Sequence, residues 1–168
     1  MTRLSRRYCL GLLALSLGAV CLPAHAQNPT VLTIVEAPAG DGVQQFVSLG
    51  LTELKALPQV THVSKTPWFK NSITFTGPLL RDVLAAANIK PGQSLRAVAL
   101  DEYAVTIPWS DAQNFDVVLA HTIDGVALTP RSKGPLFVMY PYDDNPTELQ
   151  SVKYYERSIW QLKTLRVE

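Results

Sequence analysis

The sequence predicts a sheet-dominated α+β domain with a few short helices, and three observations point there. Short runs of β-branched and aromatic residues recur along the chain, each closed by Gly, Pro, Asn or Asp. One segment, Leu80 to Ala87, repeats its apolar residues at clear helical spacing. No internal repeat, linker or low-complexity run divides the 142 residues that follow position 26, a length that suits a single domain.

In chain order, Val31 to Val35 reads as a first strand, followed by a turn at Pro38 to Gly42 and an extended stretch at Val43 to Leu49. Thr52 is placed to cap a brief helix over Glu53 to Leu57 that Pro58 ends. Val60 to Val63 is a strand, and Thr66-Pro67-Trp68-Phe69 is an irregular aromatic segment leading to a strand at Ile73 to Phe75. Gly77-Pro78 opens the helix whose Leu80, Val83, Leu84 and Ala87 share one face, with Arg81 and Asp82 turned away. Pro91-Gly92 then precedes a meander of Ser94 to Leu100 and Tyr103 to Ile107, and Trp109 to Asn114 reads as a short helix. Val117 to Ile123 meets Val126 to Leu128 across Asp124-Gly125, a pair suited to the left-handed hairpin turn. Ile159 to Val167 closes the sheet.

Arg3, Arg6 and Arg7, the apolar run Leu10 to Val20 and Ala24-His25-Ala26 form a signal-peptide pattern, so residues 1–26 are expected to be removed and 27–168 to form the domain. The expected location is the periplasm, with no membrane insertion after cleavage. Ser5 to Leu10 partly matches a twin-arginine signal, but the Leu-rich run behind it favours the ordinary secretory route. Val20 before Cys21 argues against lipid attachment. Both cysteines of the sequence, Cys9 and Cys21, fall in this segment, so the domain has no disulfide and no thiolate. Removing three of fifteen basic residues and none of fourteen acidic ones leaves a net charge of −2, which disfavours nucleic-acid partners.

Polar chemistry concentrates in Lys133 to Trp160. Leu136 to Tyr140 reads as a buried strand stopped by Pro141 and Asp143-Asp144-Asn145-Pro146, after which Asn145 is a good N-cap, with Pro146 first in a helix to about Tyr155. Asp143 and Asp144 suit either a hard cation or ordinary turn chemistry. Tyr140, Tyr142, Tyr154 and Tyr155 with Trp160 suit either an aromatic pocket for a planar ligand or a division between core and surface. Arg157 and Lys153 suit an anion, or the helix C-terminus alone. His62 and His121 lie 59 residues apart without a third ligand at metal spacing and read as satisfied strand histidines. Ser64 with either histidine lacks any G-x-S-x-G context for hydrolysis.

Four blocks in order resemble the molybdopterin-binding oxidoreductase domain of the sulfite oxidase superfamily: Leu51 to Pro58, Phe75 to Leu84, Asp116 to Ala120 with Asp124 to Leu128, and Lys133 to Pro141 with Trp160 to Val167. The resemblance implies that family's fold, and molybdopterin as the candidate cofactor. Because the family's pterin lies near this part of the fold, it also implies Tyr140, Tyr142, Asp143, Asp144, Tyr154, Arg157 and Trp160 as its binding residues. The departures bear on chemistry. Catalytic members hold molybdenum with a cysteine that falls near Lys65 or Thr66 here; their Arg after Pro-Leu is Phe137, their His before Gly is Lys133, and their Lys before the closing Trp is Ile159. Two functions follow as expectations. The first is a periplasmic module that binds a small anionic or planar ligand or senses a membrane partner, without a resident cofactor. The second is an oxidoreductase with non-cysteine coordination, working with a redox partner.

Overall fold

The computed structural model describes residues 28–36 and 43–168, so the signal-peptide pattern and the Pro38 to Gly42 turn lie outside the described residues. β1 (Thr30–Glu36) and β2 (Gln45–Gly50) pair antiparallel, with Leu32 and Ile34 of β1 fully buried. α1 (Leu51–Ala56) starts two residues earlier than Thr52 capping would allow. Its orphan N–H at Gly50 donates to the Glu53 carboxylate at 2.9 Å, so the acid three residues on reaches back to close the helix start. β3 (Gln59–Ser64) and β4 (Ile73–Pro78) then form an antiparallel pair around the aromatic segment between them.

α2 (Leu80–Ala86) is the helix legible from periodicity, and Leu80, Val83 and Leu84 are its buried residues. β5 (Ser94–Ala99) and β6 (Ala104–Pro108) make the meander, and α3 (Trp109–Asn114) follows as expected. The long strand expected at Val117 to Ile123 is split into β7 (Val118–Ala120) and β8 (Thr122–Ile123), joined through His121. The two halves serve different partners, β7 pairing with β10 (Phe137–Met139) and β8 with β4 and β9 (Val126–Ala127). Asp124 and Gly125, at φ 49° and 76°, make the predicted left-handed turn between β8 and β9. Gly77 lets β4 lie against β7, since a Cβ there would collide with the Leu119 carbonyl.

The helix expected from Pro146 to Tyr155 is two: α4 (Pro146–Leu149) and α5 (Val152–Arg157). Ser151, extended at φ −139° and ψ 157°, restarts the helix, and the Gln150 side chain is drawn to Asp143 at 3.0 Å. Asn145 donates its amide to Glu148 instead of capping a backbone N–H. β11 (Leu162–Val167) enters between β1, to which it is parallel, and β5, to which it is antiparallel, completing the sheet β2-β1-β11-β5-β6. A second sheet runs β3-β4-β8-β9, and β7 and β10 form a short ladder beside it. The fold is sheet-dominated α+β, and one core cluster reaches from Leu32 to Leu165. Among the described residues no helix is long and apolar enough to cross a membrane.

Leu84 is 2% exposed on the core face of α2. Leu84→Ala should cost about 2–5 kcal/mol in urea unfolding, the usual range for emptying a leucine site, with an unchanged m-value.

Candidate functional site

The tyrosine-rich stretch is where the structure departs most from expectation. Tyr140, Tyr142 and Tyr154 are at most 3% exposed and belong to the core cluster, not to a pocket wall. Each phenol finds an internal partner, which lets so polar a ring be buried. Tyr140 donates to Asp111 Oδ2 at 2.8 Å, Tyr142 is hydrogen-bonded to the Ser158 hydroxyl, and Tyr154 donates to Glu148 Oε1 at 3.0 Å. Burial pushes the Tyr140 hydroxyl well above the usual phenol range, with the Asp111 carboxylate pushing the same way, and burial raises Tyr142 as well. Both stay neutral donors at any physiological pH.

The polar candidates are engaged in the same framework. Asp143 accepts the backbone N–H of Lys65 at 3.1 Å and the Gln150 amide at 3.0 Å, tying its loop to the segment after β3. Asp144 is exposed, and among the described residues no cluster of three His, Cys, Asp or Glu is placed to hold a metal. Arg157 donates to Asp111 Oδ2 at 2.7 Å, with side chains 17% and 7% exposed, and that ion pair takes it away from anion binding. Asp111 was missed because a single acid in a short polar helix carries no sequence signal of its burial.

Of the implied residues, Trp160 lines a cleft. The cleft beside it, about 390 Å³, is walled by Trp68, Tyr103, Tyr155 and Trp160, with Asp101 and Glu156 as its charged lining. Trp68 is the hub of this wall, with ring centroids 5.9 Å from Tyr155, 6.0 Å from Trp160 and 5.6 Å from Phe137. Behind it the buried tyrosines continue the stack, Tyr142 lying 5.1 Å from Tyr155 and Tyr140 5.2 Å from Tyr154. They form the floor that holds the wall upright. A second cavity of about 380 Å³ lies between Phe69 and β9 and is lined by Arg131 and Lys133. The Lys133 ammonium stands 3.7 Å from the Trp160 ring centroid, and burial lowers its pKa.

At the positions where the resemblance calls for metal and cofactor contacts, the chain offers different chemistry. Lys65 is exposed, and the Thr66 hydroxyl is buried without a hydrogen-bond partner. Phe137 is fully buried, edge-on to Phe75 at 6.0 Å, and Ile159 is 2% exposed. Hard or weakly acidic donors and apolar side chains therefore stand where a soft thiolate and cationic contacts would be needed, and they do not fit a molybdenum-dithiolene centre.

The histidines sit on the outer sheet. Gln59 donates its amide to the Leu54 and Leu57 carbonyls, so its oxygen faces His121 Nε2 at 2.8 Å and Nε2 carries the proton. That leaves His121 Nδ1 buried without a partner, and His62 Nε2 is buried likewise, so neither ring is fully satisfied. Burial, then Lys55, lowers the His121 pKa from 6.5. Well above pH 6.5 both folded and unfolded chains carry a neutral ring. As pH falls below 6.5 the unfolded chain takes up the proton first, so stability is lost toward acid. Melting temperature should therefore fall less between about pH 7 and pH 5 in His121→Gln than in the parent; parallel profiles would contradict this.

The contrast between Asp111 and Asp144 tests the framework directly. Asp111→Ala strands a half-buried guanidinium and should cost about 3–5 kcal/mol. Asp144→Ala, at an exposed position, should stay within about 0.5 kcal/mol in the same denaturant titration.

The sequence profile of the oxidoreductase molybdopterin binding domain matches residues 35–143, well over half of the chain. No curated protein matches. Among solved structures, the sulfane dehydrogenase SoxCD from Paracoccus pantotrophus superposes with a TM-score of 0.58 at 17% identity. That match covers 81% of this chain but 37% of the SoxCD chain, so this domain spans little more than a third of that protein's length and the likeness is one of fold. With the profile match and the shared fold, the chain belongs to the sulfite-oxidase-type family of oxidoreductase molybdopterin-binding domains.

Proposed function

We propose that this chain is an exported periplasmic binding module of the molybdopterin-binding family, one that recognises a small ligand at the Trp68–Trp160 cleft. The observation that carries the reading is the cleft: an aromatic-walled cavity of about 390 Å³ in a chain with no cysteine after position 21. A volume of this order suits a small molecule, and rigid aromatic walls bind planar or apolar groups with little loss of side-chain freedom. The signal-peptide pattern supports the location.

A second reading, an oxidoreductase with non-cysteine coordination at Lys65 or Thr66 and a redox partner, draws on family membership and on the partnerless Thr66 hydroxyl. An amine and an alcohol are poor substitutes for an ionised sulfur ligand, which favours the binding module. Elemental analysis of protein purified from its native host, paired with fluorescence of oxidised pterin extracts, decides between them. The expected result is no stoichiometric molybdenum. One molybdenum per chain would overturn the binding reading.

A further inference from the structure

We infer that the Trp68–Trp160 cleft is selective for a small organic cation with an alkylated ammonium head; this rests on the ligand-binding reading above. The cleft's charged lining is acidic: Asp101 and Glu156 border it, and no lysine, arginine or histidine is among the described residues that line it. Its walls are two tryptophans and two tyrosines, rings whose faces attract a cation through the quadrupole and whose carbon surface sheds water from its alkyl groups. Ser158, at the floor, is no donor for an anion, because its hydroxyl is engaged with Tyr142 and with the Tyr154 carbonyl. The cleft thus presents carboxylate acceptors and aromatic rings, and its donors are neutral indole and phenol groups without the positive charge that favours a phosphate or carboxylate.

The same wall already carries an ammonium. Lys133, which lines the second cavity and not this cleft, places its Nζ 3.7 Å from the Trp160 centroid. Nearby basic residues are otherwise committed: Lys163 is ion-paired with Glu102, and Arg157 with Asp111. The carboxylates stay available, since Asp101 uses one oxygen on the Tyr103 N–H at 3.0 Å and Glu156 is exposed.

The test is a titration of the full chain with choline, with its uncharged isostere 3,3-dimethyl-1-butanol and with an oxidised pterin, followed through the tryptophan indole NMR signals. Choline should move the Trp68 and Trp160 signals and bind at least about tenfold tighter than the isostere. Asp101→Asn with Glu156→Gln, both at exposed positions that leave the core untouched, should remove most of that preference. Two results overturn the inference in different ways. If the isostere or the pterin moves the same signals as strongly as choline and the double variant makes no difference, the cation selectivity is wrong and the ligand-binding reading stands. If none of the three probes moves either indole, the cleft is no ligand site and both readings fall.

Discussion

One buried carboxylate fixes the geometry on which the rest of the site depends. Asp111, in α3, accepts at the same oxygen from Tyr140, just beyond β10, and from Arg157, the last residue of α5. Three elements distant in sequence are held at one atom. Burying a charge is costly unless it is paired and hydrogen-bonded, and here a guanidinium pairs it while a phenol adds a second bond at Oδ2. The consequence reaches the surface: with the end of α5 pinned, Tyr154 turns inward onto Tyr140 while Tyr155 and Glu156, its neighbours along the helix, come to line the cleft. Tyr154 is further held by Phe115 at 5.5 Å and by Glu148, so α5 has little freedom to rotate.

Most of the fold was legible because its strands advertise themselves by composition. β1, β4, β5 and β11 are rich in branched residues and bounded by turn formers, and the Asp124-Gly125 hairpin follows from which residues tolerate positive φ. What escaped the sequence was decided by long-range partners. Nothing local says that Val118 and Thr122 pair with different strands, because the break at His121 is set by the Thr76 carbonyl accepting its N–H. Nor does a run of tyrosines reveal its burial. Tyr142 reads as a loop residue, yet it is fully buried because Ser158, sixteen positions later, returns to meet its hydroxyl. Trp160 lines the cleft, and its companions Trp68 and Tyr103 come from segments that read as an irregular aromatic connection and a strand start.

The relation to the family is one of retained scaffold and altered interior. The blocks that carried the resemblance are structural: the α1 start, the β4–α2 junction with its close approach at Gly77, and the β8–β9 hairpin all shape the sheets. Where the family's pattern calls for Arg and Lys, Phe137 and Ile159 are buried among apolar and aromatic neighbours. An arginine at Phe137 would need a partner in a place that supplies rings. The substitution and the packing are therefore consistent with each other: an aromatic cluster anchored by Phe137 gives Trp68 its orientation and, through Trp68, the cleft its wall.

The two cavities differ in charge while sharing that wall. Asp101 and Glu156 mark one, Arg131 and Lys133 the other, and the Trp160 ring lines the first while receiving the ammonium of the second. A ring quadrupole attracts cations at either face, but two cations close to one ring repel each other across a medium of low dielectric. The carboxylates of the cleft offset that repulsion, so the acidic lining on one side and the lysine on the other are parts of one electrostatic arrangement. Exchanging the charges would lay a carboxylate on the electron-rich face of Trp160 in place of the Lys133 ammonium, and the chain has the arrangement that avoids this.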